Sequence, residues 1–189
     1  MEYLPGYTAV ASIESVTGQM ALFDQIVADD RVPKVIDLGH TVLDRFFALT
    51  QELDVWREAH RRSVAPVVIF IADPDRRSKQ GYDMLRSRFP DLALEPLFNE
   101  VIPHIAHCRE DFPPTRRGGS PLNVAAISAV IKTIVDRPNF SFAQYVATAK
   151  DPTAELFEWT RKGFLEFREI ELRMMLEQLR PSLRFSASA

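Results

Sequence analysis

Four residues stand where an apolar run gives way to polar chain, and their types suit the handling of a charged, metal-bearing ligand: Asp37, Asp73, Asp75 and Asn99. An aspartate closing a buried strand can hold a hydrated magnesium ion beside a phosphate, and Gly39, close behind Asp37, lets the next backbone approach. An asparagine at a strand end offers a donor and an acceptor to the edge of a base. The competing reading is that acids after strands form turns and cap helices, Asp73-Pro74-Asp75 above all. Arg116-Arg117-Gly118-Gly119 is a basic loop that can clasp a phosphate through guanidinium forks and backbone N–H groups, or simply turn in solvent. Arg76, Arg77 and Lys79 fall on the first turn of a predicted helix, the end at which the helix dipole disfavours cations. That placement fits an anionic ligand or partner as well as a solvated face. His40, His60, His104 and His107 show no metal-ligand spacing with nearby acids, and no Gly-x-Ser-x-Gly occurs.

Positioning these residues requires a sheet. Val67 to Ala72 is β-branched and aromatic without polar alternation, as expected of a strand buried on both faces, and ends in Asp-Pro-Asp. A helix-like stretch follows, and Leu92 to Phe98 is a second apolar run that ends in Asn99-Glu100. This is a β-α-β unit with a parallel crossover. Val35 to Leu38 reads as a further short buried strand, joined to the Val67 strand through two helices over 41–48 and 54–62. The order α, β, α, α, β, α, β is that of an α/β doubly wound, mostly parallel sheet of three to four strands with helices on both faces. In such sheets ligands lie beyond the carboxyl ends of the strands, where the candidate residues sit.

The remaining elements follow from caps and breakers. A helix is predicted from Gly18 to Val27 with Ser15 or Thr17 as cap, and a short helix over 104–112. Phe112 to Pro121 is a loop, Leu122 to Val124 a last short strand, and further helices cover 125–135 and 141–148 with Ser141 as cap. Asp151 and Pro152 suit the N-cap and first position of a long final helix that runs to Arg180, with residues 181–189 a flexible tail. That helix carries more apolar residues than one core contact needs, so part of it is expected to meet a protein partner or a second copy. The whole is expected to be one domain, with residues 1–150 as its α/β core.

Composition narrows the class. The 189 residues are 46% hydrophobic and 26% charged, values of an ordinary globular protein. A formal net charge of -3 indicates neither nucleic acid nor an anionic membrane as a partner of the whole surface. The single Cys108 rules out an internal disulfide and a cysteine-based metal cluster. No signal-peptide start and no membrane-span-length apolar run is present, so a cytoplasmic protein is expected.

At three stretches the chain resembles the ParA/MinD class of P-loop ATPases, which serve plasmid partition, division-site positioning and conjugation. Val35-Ile36-Asp37-Leu38-Gly39 is similar to that family's switch strand, Val67 to Asp75 to a following strand, and Leu97-Phe98-Asn99-Glu100 to the strand whose terminal asparagine reads adenine. Pro121-Leu122-Asn123-Val124 and Phe140 to Tyr145 fall where the family has a late strand and closing helices. The resemblance implies ATP or ADP with magnesium as ligand. Asp37, Gly39, Asp73, Asn99, Arg116 and Arg117 would line the site, and Asp37 would serve the metal when nucleotide binds. The family's Gly-x-x-x-x-Gly-Lys-Ser/Thr loop is nowhere in the sequence, which removes most of the apparatus of phosphoryl transfer. The expectation is therefore a non-catalytic relative that acts by protein–protein association and keeps a weak nucleotide site. One alternative is an ATPase of the partition and positioning class whose P-loop segment is missing from this chain. Another is an unrelated enzyme using Asp37, Asp73 and His40.

Overall fold

The computed structural model describes residues 8–114, 121–151 and 153–185, with side chains through Leu176 in the last helix. Arg116 and Arg117 lie outside the described residues. The chain divides into two compact units, residues 2–67 and 68–189.

The first unit is helical: α1 (Val16–Ile26), α2 (Leu43–Glu52) and α3 (Val55–Arg61). Ser15 is the N-cap of α1, its Oγ accepting the Gly18 N–H at 3.1 Å. Gly18 is required there, because a Cβ would fall 2.0 Å from the Ser12 carbonyl oxygen. Asp54, in the left-handed region at φ 53°, turns the chain between α2 and α3. The core of the unit is aromatic. Phe46 meets Phe47 edge-on at 5.2 Å and lies 6.1 Å from Phe23, and Trp56 packs beside both α2 rings.

The strand expected over Val35–Leu38 is not formed. Residues 32–39 are irregular, with Val35 96% exposed. A short apolar run becomes a strand only by pairing, and the described remainder of this unit offers helices alone. The segment is instead held at its ends. Lys34 Nζ donates to Asp30 Oδ1 at 2.6 Å and to the Ala28 carbonyl at 3.2 Å, and the Gly39 carbonyl accepts the Val42 N–H.

The second unit carries the β-α-β motif as expected: β1 (Val67–Ile71), α4 (Arg76–Arg88) and β2 (Ala93–Asn99). A 3-10 helix over Ile105–Asp111, β3 (Leu122–Val124), α5 (Ala129–Val135), α6 (Phe142–Thr148) and α7 (Glu155–Phe185) follow. The three strands form a small parallel sheet in the order β1-β2-β3. The strand order is the sequence order, so among the described residues the sheet lacks the reversal that defines a doubly wound fold and creates its ligand crevice.

Burial differs from strand to strand. Residues 93–98 of β2 are all buried, so this strand has the two covered faces that the apolar run of β1 suggested for itself. In β1, Ile69 and Ile71 are exposed and alternate with the half-buried Phe70, the pattern of a strand covered on one face only. Phe70, Tyr82, Phe98 and Phe112 form an aromatic core at centroid separations of 5.2 to 6.3 Å. The shortness of β3 has a local cause. Its register pairs Leu97 with Leu122, so the next rung back would need the Pro96 N–H, which proline lacks.

α7 begins at Glu155, later than expected, because Asp151 is spent on a turn: its Oδ1 accepts the Thr153 N–H at 2.9 Å and hydroxyl at 2.6 Å. The helix continues through Pro181 to Phe185, beyond the predicted stop at Arg180. It packs on β3, with Ile170 buried against Leu97 and Leu122 and flanked by Met174 and Val124. Among the described residues no helix is long and apolar enough to cross a membrane.

Candidate functional site

The sequence places its chemistry at the carboxyl ends of the strands, and the second unit brings Asp73, Asp75, Asn99, Glu100 and Asn123 to that edge. Each has an oxygen engaged by the protein itself. Asp73 Oδ1 accepts the Asp75 N–H at 3.0 Å, and Asp75 Oδ1 accepts the Ser78 N–H at 2.7 Å as N-cap of α4. Ser78 Oγ in turn accepts the Asp73 N–H at 3.1 Å. These are the turn and capping roles open to acids after a strand. Asn99 Oδ1 accepts the Val101 N–H at 3.1 Å, a local turn made with the oxygen that a base-reading asparagine would present. Glu100 Oε2 accepts the Ala126 N–H at 3.4 Å, tying the end of β2 to the chain after β3.

Two cations nearby are engaged too, Lys79 and Arg109. Lys79 bonds Asp111, whose carboxylate holds the ammonium above the usual lysine range. Arg109 reaches from the 3-10 helix to Asn123 Oδ1 at 2.6 Å, with its guanidinium 5.0 Å from the centre of the Phe98 ring. Cys108 is buried and its thiol donates to the Ile105 carbonyl at 3.1 Å; burial pushes its pKa up, away from the reactive thiolate. His104 and His107 stack at 6.1 Å on an exposed turn, and among the described residues no group of His, Cys, Asp or Glu could hold a metal ion.

Asp37 and Gly39 belong to the first unit, in the exposed irregular segment rather than at a strand end. A Cβ at Gly39 would meet nothing within 4 Å, so no backbone approaches there. On the same unit, α3 carries a shallow open depression whose charges are paired internally, Glu58 with Arg61 and Arg62, Asp54 with Arg57. Hydrogen bonds from Arg61 and then Arg62 lower the Glu58 carboxyl to about 2.

The residues that hold the site region together were not singled out in the sequence. Tyr82 is fully buried and its hydroxyl donates to the Pro113 carbonyl at 2.6 Å. Burial is the main cause that raises its phenol to about 12. Glu95 is buried in the middle of β2. The sole local signal for it is a carboxylate inside an apolar run.

α7 has two unlike faces. Leu156, Ile170 and Met174 lie on the inner one, where Trp159 Nε1 also donates to the Ala125 carbonyl at 2.8 Å and Glu166 Oε2 accepts the Asn123 N–H at 3.3 Å. Phe164, Leu165, Leu172, Met175 and Leu176 project the other way and are 47 to 69% exposed. At 100° per residue these five cover an arc opposite Ile170.

The molecule is thus a mixed α/β protein with a three-stranded parallel sheet and a long C-terminal helix that is apolar on both faces. No protein-family model, no curated protein and no solved structure matches it.

Proposed function

We propose that this chain acts by protein–protein association, as a non-catalytic relative of the ParA/MinD class, with the outer face of α7 as its contact surface. The observation that carries this reading is the exposed apolar arc from Phe164 to Leu176 on a helix whose other face is already docked. Several large apolar side chains exposed on one face of a helix mark interaction sites in proteins. Against nucleotide chemistry stand the missing phosphate loop and the engagement of Asp73, Asp75 and Asn99 oxygens by their own backbone.

Calorimetric titration of the purified chain with ATP and with ADP, each with magnesium, tests the reading. The expected result is no saturable heat at millimolar nucleotide. Micromolar binding that Asn99→Ala weakens would overturn the reading against nucleotide chemistry in favour of an adenine site at the end of β2.

A further inference from the structure

We infer that the outer face of α7 takes α7 of a second copy of this chain, in antiparallel orientation, an inference that rests on the association reading above. Three features of the helix point to this occupant.

The first is spacing. Leu165, Arg168, Leu172 and Met175 follow one another at intervals of three and four, the a-d-a-d seam of a paired helix. In that frame Ile170 occupies the position opposite the seam, and Ile170 is the residue buried on the sheet. The same helix can therefore dock on its own sheet and still present outward a seam in which three of these four positions are apolar.

The second is area. A fully exposed aromatic side chain offers about 150–250 Å² and leucine or methionine somewhat less, so the arc leaves on the order of 500 Å² of apolar surface per copy at the observed exposures. Two such faces, with the stems of Arg161 and Arg168 added, reach the ~1,200 Å² at which specific interfaces become stable. A two-fold interface also needs a patch complementary to itself, and here the apolar side chains can meet one another while the arginines on the same arc must be kept apart.

The third is charge, and it sets the direction. Arg161 and Arg168 both lie on the seam. A parallel in-register pair would place each arginine against its own counterpart, a like-charge opposition that rejects the arrangement. The antiparallel pair instead sets Leu165 against Met175 of the second copy and lays the Arg168 stem across Leu172. The Arg168 guanidinium already bonds Glu171 of its own helix, so its charge stays compensated at the rim of the contact.

Sedimentation equilibrium of the full chain, wild type and Leu172→Glu, gives the first test. Wild type is expected to dimerise at micromolar concentration, and Leu172→Glu to weaken dimerisation at least tenfold, with a thermal melt equal to wild type when both are measured below the wild-type dissociation constant. Oxidative cross-linking of Leu165→Cys/Met175→Cys gives the second, since Cys108 is buried and remains out of reach. A disulfide mapped between positions 165 and 175 of different copies is expected, with neither single variant cross-linking. Self-linking of Leu165→Cys overturns the antiparallel pair. So does a dimer indifferent to Leu172→Glu, or a chain that stays monomeric at hundreds of micromolar. The monomeric outcome leaves association with a different protein standing, because that reading rests on the exposed face of α7 and not on which occupant covers it.

Discussion

The two edges of the sheet are finished in different ways. β3 is three residues long and has little of its own to hold it, yet its outer edge is dressed by α7. Because Val124 turns its carbonyl to the Glu100 N–H of β2, Asn123 and Ala125 turn their backbone groups outward. There the Glu166 carboxylate accepts from Asn123 and the Trp159 indole donates to Ala125. β1 is longer and wholly apolar, and it is held from one face by the aromatic core. Its outward residues Ile69 and Ile71 have exposed side chains. A strand too short to stand alone is kept by satisfying its edge; a longer one is kept by burying a face.

On that division, the largest effect comes from the aromatic core. Phe112→Ala removes a ring packed on Phe70, Tyr82 and Phe98, and is expected to destabilise the second unit by about 3–5 kcal/mol in denaturant titration. Hydrogen-exchange protection should fall first at β1. Ile170→Ala, on the α7 side, is expected to cost about 2–3 kcal/mol and to release β3 first. Equal loss of protection at both strands in both variants would show that the edges are not independently held.

How far these arrangements could be read in advance depended on distance along the chain. The β-α-β unit from Val67 to Asn99 was legible because its signals are local: apolar runs, a helix between them, and the Asp75 cap within the same turn as Ser78. The Ser15 and Ser141 caps were legible for the same reason. Val35 to Leu38 carries the same kind of apolar run and failed as a strand, because strand formation depends on a partner that no local pattern contains. The candidate site suffered likewise. That Asp73, Asp75 and Asn99 end or follow strands was visible, but the turns that engage their oxygens decide what they can bind. The contacts that organise the region, Tyr82 to Pro113, Trp159 to Ala125 and Glu166 to Asn123, span 31, 34 and 43 residues and leave no trace in periodicity.

A smaller effect sharpens the contrast through pH. Burial raises the Tyr82 phenol from its ordinary 10.0 to about 12, opposed by nearby Arg86. Between those values the unfolded chain has released this proton and the folded one retains it. Stability on this account is therefore complete below pH 10 and is lost as pH rises toward 12. Tyr82→Phe should lose the hydrogen bond to Pro113, worth about 1 kcal/mol, and with it this part of the alkaline decline. Denaturant midpoints of the two proteins compared at neutral pH and near 12 check both statements, and a decline of equal steepness in the variant would assign the alkaline sensitivity elsewhere.

The smallest expected effect tests the open side of β1. Ile71 is 62% exposed, and its chain neighbours, Phe70 in the strand and Ala72 just after it, lie on the opposite, covered face. Replacing it with lysine exchanges little buried area, and surface changes of this kind stay within about ±0.5 kcal/mol. A charge on an apolar edge strand also opposes pairing with a strand of another chain. Ile71→Lys should thus melt like wild type while remaining soluble at higher concentration, with self-association through α7 unaltered. A loss of stability beyond about 2 kcal/mol would mean that this face is covered in solution and that β1, like β3, is held from both sides.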